Sequence, residues 1–207
     1  MIPIVDVYRS VQGVAKQSTT GYQTKDKFND DVELVQLFLI KVLGEQYEKE
    51  QVVSDDLAPF VVELPAIPSI KPNDYFRFVS AEINGEEVYP LHRSSVTMTK
   101  NSPIRKVSKG FYFQGNQIKF YLGEDSEMET SSMVYIRRPL KASIDIQYSD
   151  QGGDYQTPVA VANLEWPESM RNIIEALLLE RLGVETRETI SMEFAKMGID
   201  REISNYK

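Results

Sequence analysis

One histidine, four clustered carboxylates and no cysteine bound the chemistry open to this chain. His92 lies in PLHRSS, just beyond a predicted hairpin strand. An imidazole can act as a general base or a metal ligand. Here no second His or Cys exists to share a metal, and any Ser-His-Asp mechanism would rest on this residue alone. His92 therefore reads as structural or solvent-facing. The loop GEDSEMET brings together Glu124, Asp125, Glu127 and Glu129. These carboxylates offer oxygen ligands for a hard cation, but the EF-hand spacing and its glycine are missing. A solvated loop, or a surface kept negative, is the simpler reading, because unpaired charges are costly to bury. Asp150 and Asp154 flank Gln-Gly-Gly and read as a turn. No GxxxxGK[ST] phosphate cradle occurs. Lys100, Arg105, Lys106 and Lys109 read as a solvated basic loop. No catalytic, cofactor-binding or metal-ligating residue is assigned, and the expectation is a protein that is not an enzyme.

The totals narrow the setting. The chain has 207 residues and a formal net charge of −8, which opposes general binding to a phosphate backbone. Asp6 and Arg9 interrupt the apolar start, so the stretch lacks a signal-peptide core. No run approaches the ~18 apolar residues of a membrane span. The expectation is a soluble product made in the cytoplasm, with no membrane partner.

The elements come in the order helices, strands, helix. Ile4, Val7, Tyr8, Val11 and Val14 recur at helical spacing over residues 4 to 16. Thr24 is a candidate N-cap for a helix to Leu43, with Gly44 closing it. Phe28, Val32, Val35, Leu39, Val42 and Leu43 share one face, and Leu34, Phe38 and Ile40 widen the apolar surface. Such girth predicts cover on more than one side. Residues 45 to 56 read as a short solvated helix. Prolines at 59, 65, 68 and 72 then mark extended chain. Asn84-Gly85 and Gly115-Asn116 each sit between strand-like runs and predict hairpins. VYIRRPLKASIDIQYS reads as a third extended segment with Pro139 at an edge or bulge. EWPESMRNIIEALLLERLG is an amphipathic helix whose stripe is Trp166, Met170, Ile173, Ile174, Leu177, Leu178 and Leu182, closed by Gly183. The class is α+β, since no regular crossover helices follow the strands. Residues 1–186 form one expected domain, helical over 1–56 and β-rich over 57–160, with a helix at 166–183. Residues 187–207 form a tail.

Several quoted stretches, taken in order, carry a resemblance. GYQTKDKFN leads into a helix holding Gln36, followed by Leu57-Ala58-Pro59-Phe60 and LPAIPSIKPNDYFRFVSAEINGEEVYPL. GFYFQGNQIKFYLGE, VYIRRPLKASIDI and the Trp-Pro helix complete the series. The whole resembles the head–tail connector (adaptor or ring) proteins of tailed bacteriophages, nearest in character to those of crAss-like phages. The likeness runs from about residue 20 to 185 and consists of spacing and texture, with no catalytic signature. It implies a virion structural protein at the head–tail junction, in a homo-oligomeric ring, commonly twelvefold, below the portal protein. Neighbouring ring or tail proteins would be further partners. Such a ring continues the DNA channel, so genomic DNA passes through without specific binding. No cofactor is implied.

On that reading the loop of Glu124, Asp125, Glu127 and Glu129 is expected to face the channel. The tail, with Ile190, Phe194, Met197, Ile199, Ile203 and Tyr206, is expected to dock on the portal or an adjacent subunit. Rival readings are another tail, baseplate or capsid-decorating protein, a carboxylate-dependent hydrolase, and a binding module whose ligand face is the hairpin aromatics Phe111, Tyr112, Phe113, Phe120 and Tyr121.

Overall fold

A computed structural model of the chain describes residues 1–17, 24–50, 54–92, 109–122, 130–148 and 156–182. The fold is α+β. It comprises two compact units: residues 1–59 with 139–207, and residues 60–138 between them.

The first unit opens with α1 (Ile4–Gln17). Its first amide donates to Asn163 Oδ1, so a residue from far along the chain supplies the cap. Ile4, Val7, Val11 and Ala15 form the buried face. In α2 (Lys25–Glu50), the Lys27 amide donates to Thr24 Oγ1 at 3.4 Å, the cap expected from the sequence. The helix does not stop at Gly44. It continues to Glu50, and the residues from 45 onward are its last turns rather than a separate helix. A mid-helix glycine costs roughly 1 kcal/mol. Tyr47 is buried one turn beyond Leu43, and its packing offsets that cost. Strands β8 (Ser143–Tyr148) and β9 (Gln156–Ala162) pair antiparallel. After a 3-10 turn at Glu168–Met170, α3 (Arg171–Arg181) packs against α1 and α2. Trp166, Met170, Ile173, Ile174, Leu177 and Leu178 are buried, as the stripe predicts. Gly183 lies outside the described residues.

The second unit begins with a 3-10 turn at Ala58–Phe60, which crosses its boundary. β1 (Val61–Leu64), β2 (Tyr75–Ile83), β3 (Glu86–Glu87) and β7 (Ser131–Arg137) form one sheet in the order β1-β7-β2-β3. Asn84 and Gly85 take φ of 53° and 76°, the left-handed values a tight hairpin requires. The return strand pairs only through Glu86 and Glu87. The chain then leaves for a second sheet, where β4 (Tyr89–Pro90) runs parallel to β5 (Gly110–Gln114). β5 pairs antiparallel with β6 (Gln117–Tyr121) across Gly115 at φ 61°. The core between these strands includes Ile67, Ala81, Ile83, Val88, Phe111, Ile118 and Met133.

The third extended segment is two strands, β7 and β8, with Pro139 between them. Pro139 is also where the chain re-enters the first unit. Of the β-rich stretch, β1 to β7 belong to the second unit and the β8–β9 ribbon to the helical one.

Candidate functional site

Of the titratable candidates for chemistry, His92 and Lys109 fall among the described residues. His92 is exposed. Among the described residues no group of three or more His, Cys, Asp or Glu is gathered to hold a metal ion. Lys109 is engaged with Glu86 at 2.9 Å. Lys100, Arg105 and Lys106 lie outside the described residues, as do Glu124, Asp125, Glu127 and Glu129.

The hairpin aromatics do not make an open platform. Phe111 is fully buried, with Phe78 at 5.2 Å and Phe113 at 5.6 Å between ring centroids. Tyr112, Phe113, Phe120 and Tyr121 are half-buried. Tyr75 stacks on Tyr135 at 5.6 Å, and burial pushes its hydroxyl up to about 12. The Tyr135 hydroxyl also rises to about 12, first through burial and then through the hydrogen bond it donates to Asp74 at 3.0 Å. Lys71 Nζ stands 4.2 Å above the Tyr75 ring. These contacts use the aromatic faces internally.

The first unit turns apolar surface outward in two places. The first is the β8–β9 ribbon. Its inner face buries Ala142 and Ile144. Asn29 on α2 accepts the Ile144 amide at 3.0 Å and donates to the Ile144 carbonyl at 3.1 Å, standing in for a neighbouring strand beside β8. Lys25–Asp145 and Lys141–Glu33, both at 2.7 Å, fasten the same helix to this region. The hydrogen bond from Lys25 holds the Asp145 carboxyl below its ordinary range, and the one to Glu33 raises Lys141. β9 packs against α1. Among the described residues it has β8 on one side and no strand on the other. Val159 and Val161 are 37% and 67% exposed, and Val161 falls at a register shift. Leu140, shortly before β8, is 63% exposed.

The second outward surface is on α2. Phe28, Val32, Val35, Leu39, Ile40 and Leu43 are buried, while Leu34, Leu37 and Phe38 remain 47%, 42% and 41% exposed. The expected cover on more than one side extends to Ile40 but not to Leu34 and Phe38. Sequence reasoning marked the surplus on α2 and missed the face on β9. The available signal was QTPVAVA, an apolar run next to no second apolar strand.

Charge is unevenly shared. The first unit holds 22 acidic and 13 basic residues, a formal −9, and the second holds 9 and 10, a formal +1. The tail residues Ile190, Phe194, Met197, Ile199, Ile203 and Tyr206 lie outside the described residues. No described helix is long and apolar enough to cross a membrane. Compared with known proteins, the chain matches no family model and no curated sequence.

Proposed function

We propose that this chain is a non-enzymatic subunit of a homo-oligomeric ring at the head–tail junction of a phage virion, below the portal, around a channel through which DNA passes. The observation that carries the reading is the open edge of β9, with Val159 and Val161 outward and a bulge at Val161. Edge strands are ordinarily blunted by charge, proline or cover. β9 carries two such devices, Pro158 and the register shift at Val161, but the exposed Val159 and Val161 side chains bear no charge, and this apolar surface is suited to meet another copy of the subunit. A head-to-tail contact of this kind closes into a ring when its rotation divides the circle.

Electrostatics supports the same reading. A wall that passes DNA must not hold it, and a unit at −9 repels phosphate. The loop of Glu124, Asp125, Glu127 and Glu129 belongs to the second unit, at a formal +1, and is assigned to the channel on its own four carboxylates. The resemblance of the sequence to connector proteins supplies the place in the virion and the twelvefold count.

The test is native mass measurement of the assembly with and without portal, on wild type and Val161→Asp. Wild type is expected to form a closed ring, and the variant to remain at the monomer mass of 23.7 kDa with its Trp166 emission unchanged. A wild type that stays monomeric with portal present overturns the proposal.

A further inference from the structure

We infer that, resting on the ring reading above, the open edge of β9 in one subunit receives β1 of the next. The strands run antiparallel, with Ala160 opposite Val61 and Pro158 opposite Glu63. In antiparallel ribbons, pairs that exchange hydrogen bonds alternate with pairs that turn their main-chain groups outward. Asn29 takes both the amide and the carbonyl of Ile144, so Ile144 turns away from β9. Its partner Ala160 therefore turns its own N–H and C=O away from β8. Two positions earlier Pro158 does the same with its carbonyl and, as a proline, has no N–H to turn. The free edge of β9 thus offers the Pro158 carbonyl and both groups of Ala160.

The same alternation fixes the free edge of β1. The Ala81 carbonyl accepts the Val88 amide at 2.8 Å, on the β3 side of β2, so Ala81 and Met133 are an outward-turned pair. The adjacent pair, Ser80 and Val134, then exchanges bonds, and Val134 turns away from β1. Opposite Val134, Glu63 turns outward, and Val61 does so two residues before. The other sheet edges are short or occupied. The outer side of β6 meets residues 69–71, with the Ile118 amide donating to Ser69 and the Lys71 amide to Asn116. Asn29 caps β8, and β3 and β4 have two residues each. Among the described residues, β1 and β9 are the edges left open over four residues or more.

In the inferred register Ala160 and Val61 exchange both bonds, and the Glu63 amide donates to the Pro158 carbonyl. Of these groups only the Glu63 carbonyl is left to water. Val159 then stands opposite Val62, and Thr157 opposite Leu64. The exposed valine extends the apolar row that Val62 and Leu64 lay against the core of the second unit. Charge selects a neighbour's β1 over a neighbour's β9. A β9–β9 contact sets two units at −9 against each other, whereas β9–β1 sets −9 against +1.

The chain contains no cysteine, so cross-linking can be read without background. Positions 62 and 159 would form a non-hydrogen-bonded pair with Cα atoms about 4.5 Å apart, within disulfide range. Full-length Val62→Cys/Val159→Cys is assembled with portal, oxidised, and analysed by non-reducing electrophoresis and peptide mapping. The expected product is a ladder of linked subunits, with disulfides joining 62 of one chain to 159 of another. Glu63→Pro removes an outward amide that β7 does not use, and should raise the subunit concentration needed for assembly at least tenfold with circular dichroism unchanged. A ring mass for wild type with the paired cysteines unlinked, or linked only within single chains, overturns this contact and leaves the ring reading standing. So does a linked dimer from Val159→Cys alone, or Glu63→Pro assembling as wild type does. A wild type that stays monomeric with portal overturns both.

Discussion

Arg181, in the last turn of α3, places its Nε 2.7 Å from Oδ1 of Asp31 on α2. The two residues differ sharply in burial: the Asp31 side chain is 8% exposed and the Arg181 side chain 42%. The consequences of removing each are therefore unequal. Arg181→Met leaves a buried carboxylate without its guanidinium and is expected to lower stability by about 1–3 kcal/mol. Asp31→Asn leaves a guanidinium that water already reaches, so its cost is expected to be smaller. Urea denaturation of both variants measures the difference, and equal costs would contradict the unequal burial.

Gly110→Ala is expected to destabilise the second unit by about 1–3 kcal/mol. A Cβ there would stand 2.7 Å from Leu91 Cγ, 2.8 Å from Leu91 Cδ1 and 2.8 Å from the Tyr89 carbonyl oxygen. The leucine can rotate, but the carbonyl belongs to β4 and cannot yield without disturbing its parallel pairing with β5. Circular dichroism during chemical denaturation reads the loss. A variant as stable as wild type would show that the strands slide apart freely.

Tyr75 and Tyr135 predict how stability responds to alkali. Both hydroxyls rise from 10.0 in the unfolded chain to about 12 in the folded one, so the native state keeps its protons longer. Their contribution is complete below pH 10 and declines as pH climbs through the window between 10 and 12. Both are expected to ionise late in a spectrophotometric titration, above pH 10. Tyr135→Phe should remove one of the late-titrating groups.

Trp166 is fully buried and is the only tryptophan. Its emission is expected to be blue-shifted in the folded protein and to move to the red when the first unit unfolds. Trp166→Ala should cost about 3–5 kcal/mol through the lost burial and the cavity left behind. A loss below ~1 kcal/mol would mean that neighbouring side chains collapse into the space.

What the sequence reveals follows from how local each determinant is. The Asn84-Gly85 turn is legible because two adjacent residues must take positive φ, and the Thr24 cap because its hydroxyl reaches an amide three residues on. The stripe from Trp166 to Leu178 is legible because helical spacing alone defines it. The end of α2 is not, since the helix continues past Gly44 to a buried Tyr47 whose cover comes from elsewhere in the chain. β4 is equally hidden: two residues leave the hairpin to pair with a strand that begins about twenty positions later, at a glycine small enough to admit them. At the candidate surface, the surplus of apolar residues on α2 can be read from the sequence. Which of them stay outside depends on where α3 and β8 dock.

The interruption of the first unit by the second also sets an order of events during synthesis. Ile2 bonds in both directions with Leu164, and Ser10 donates to Glu175 at 2.7 Å, so these residues find their partners well over a hundred positions later. The intervening unit begins and ends within its own sheet, where Val61 sits opposite Ile136. On a ribosome it can close while α1 and α2 still lack α3, and long-range pairing of this kind slows folding. The apolar faces of the two leading helices are therefore exposed for the time needed to translate more than a hundred residues. That interval is when a chaperone, or a premature encounter with another nascent chain, has its opportunity.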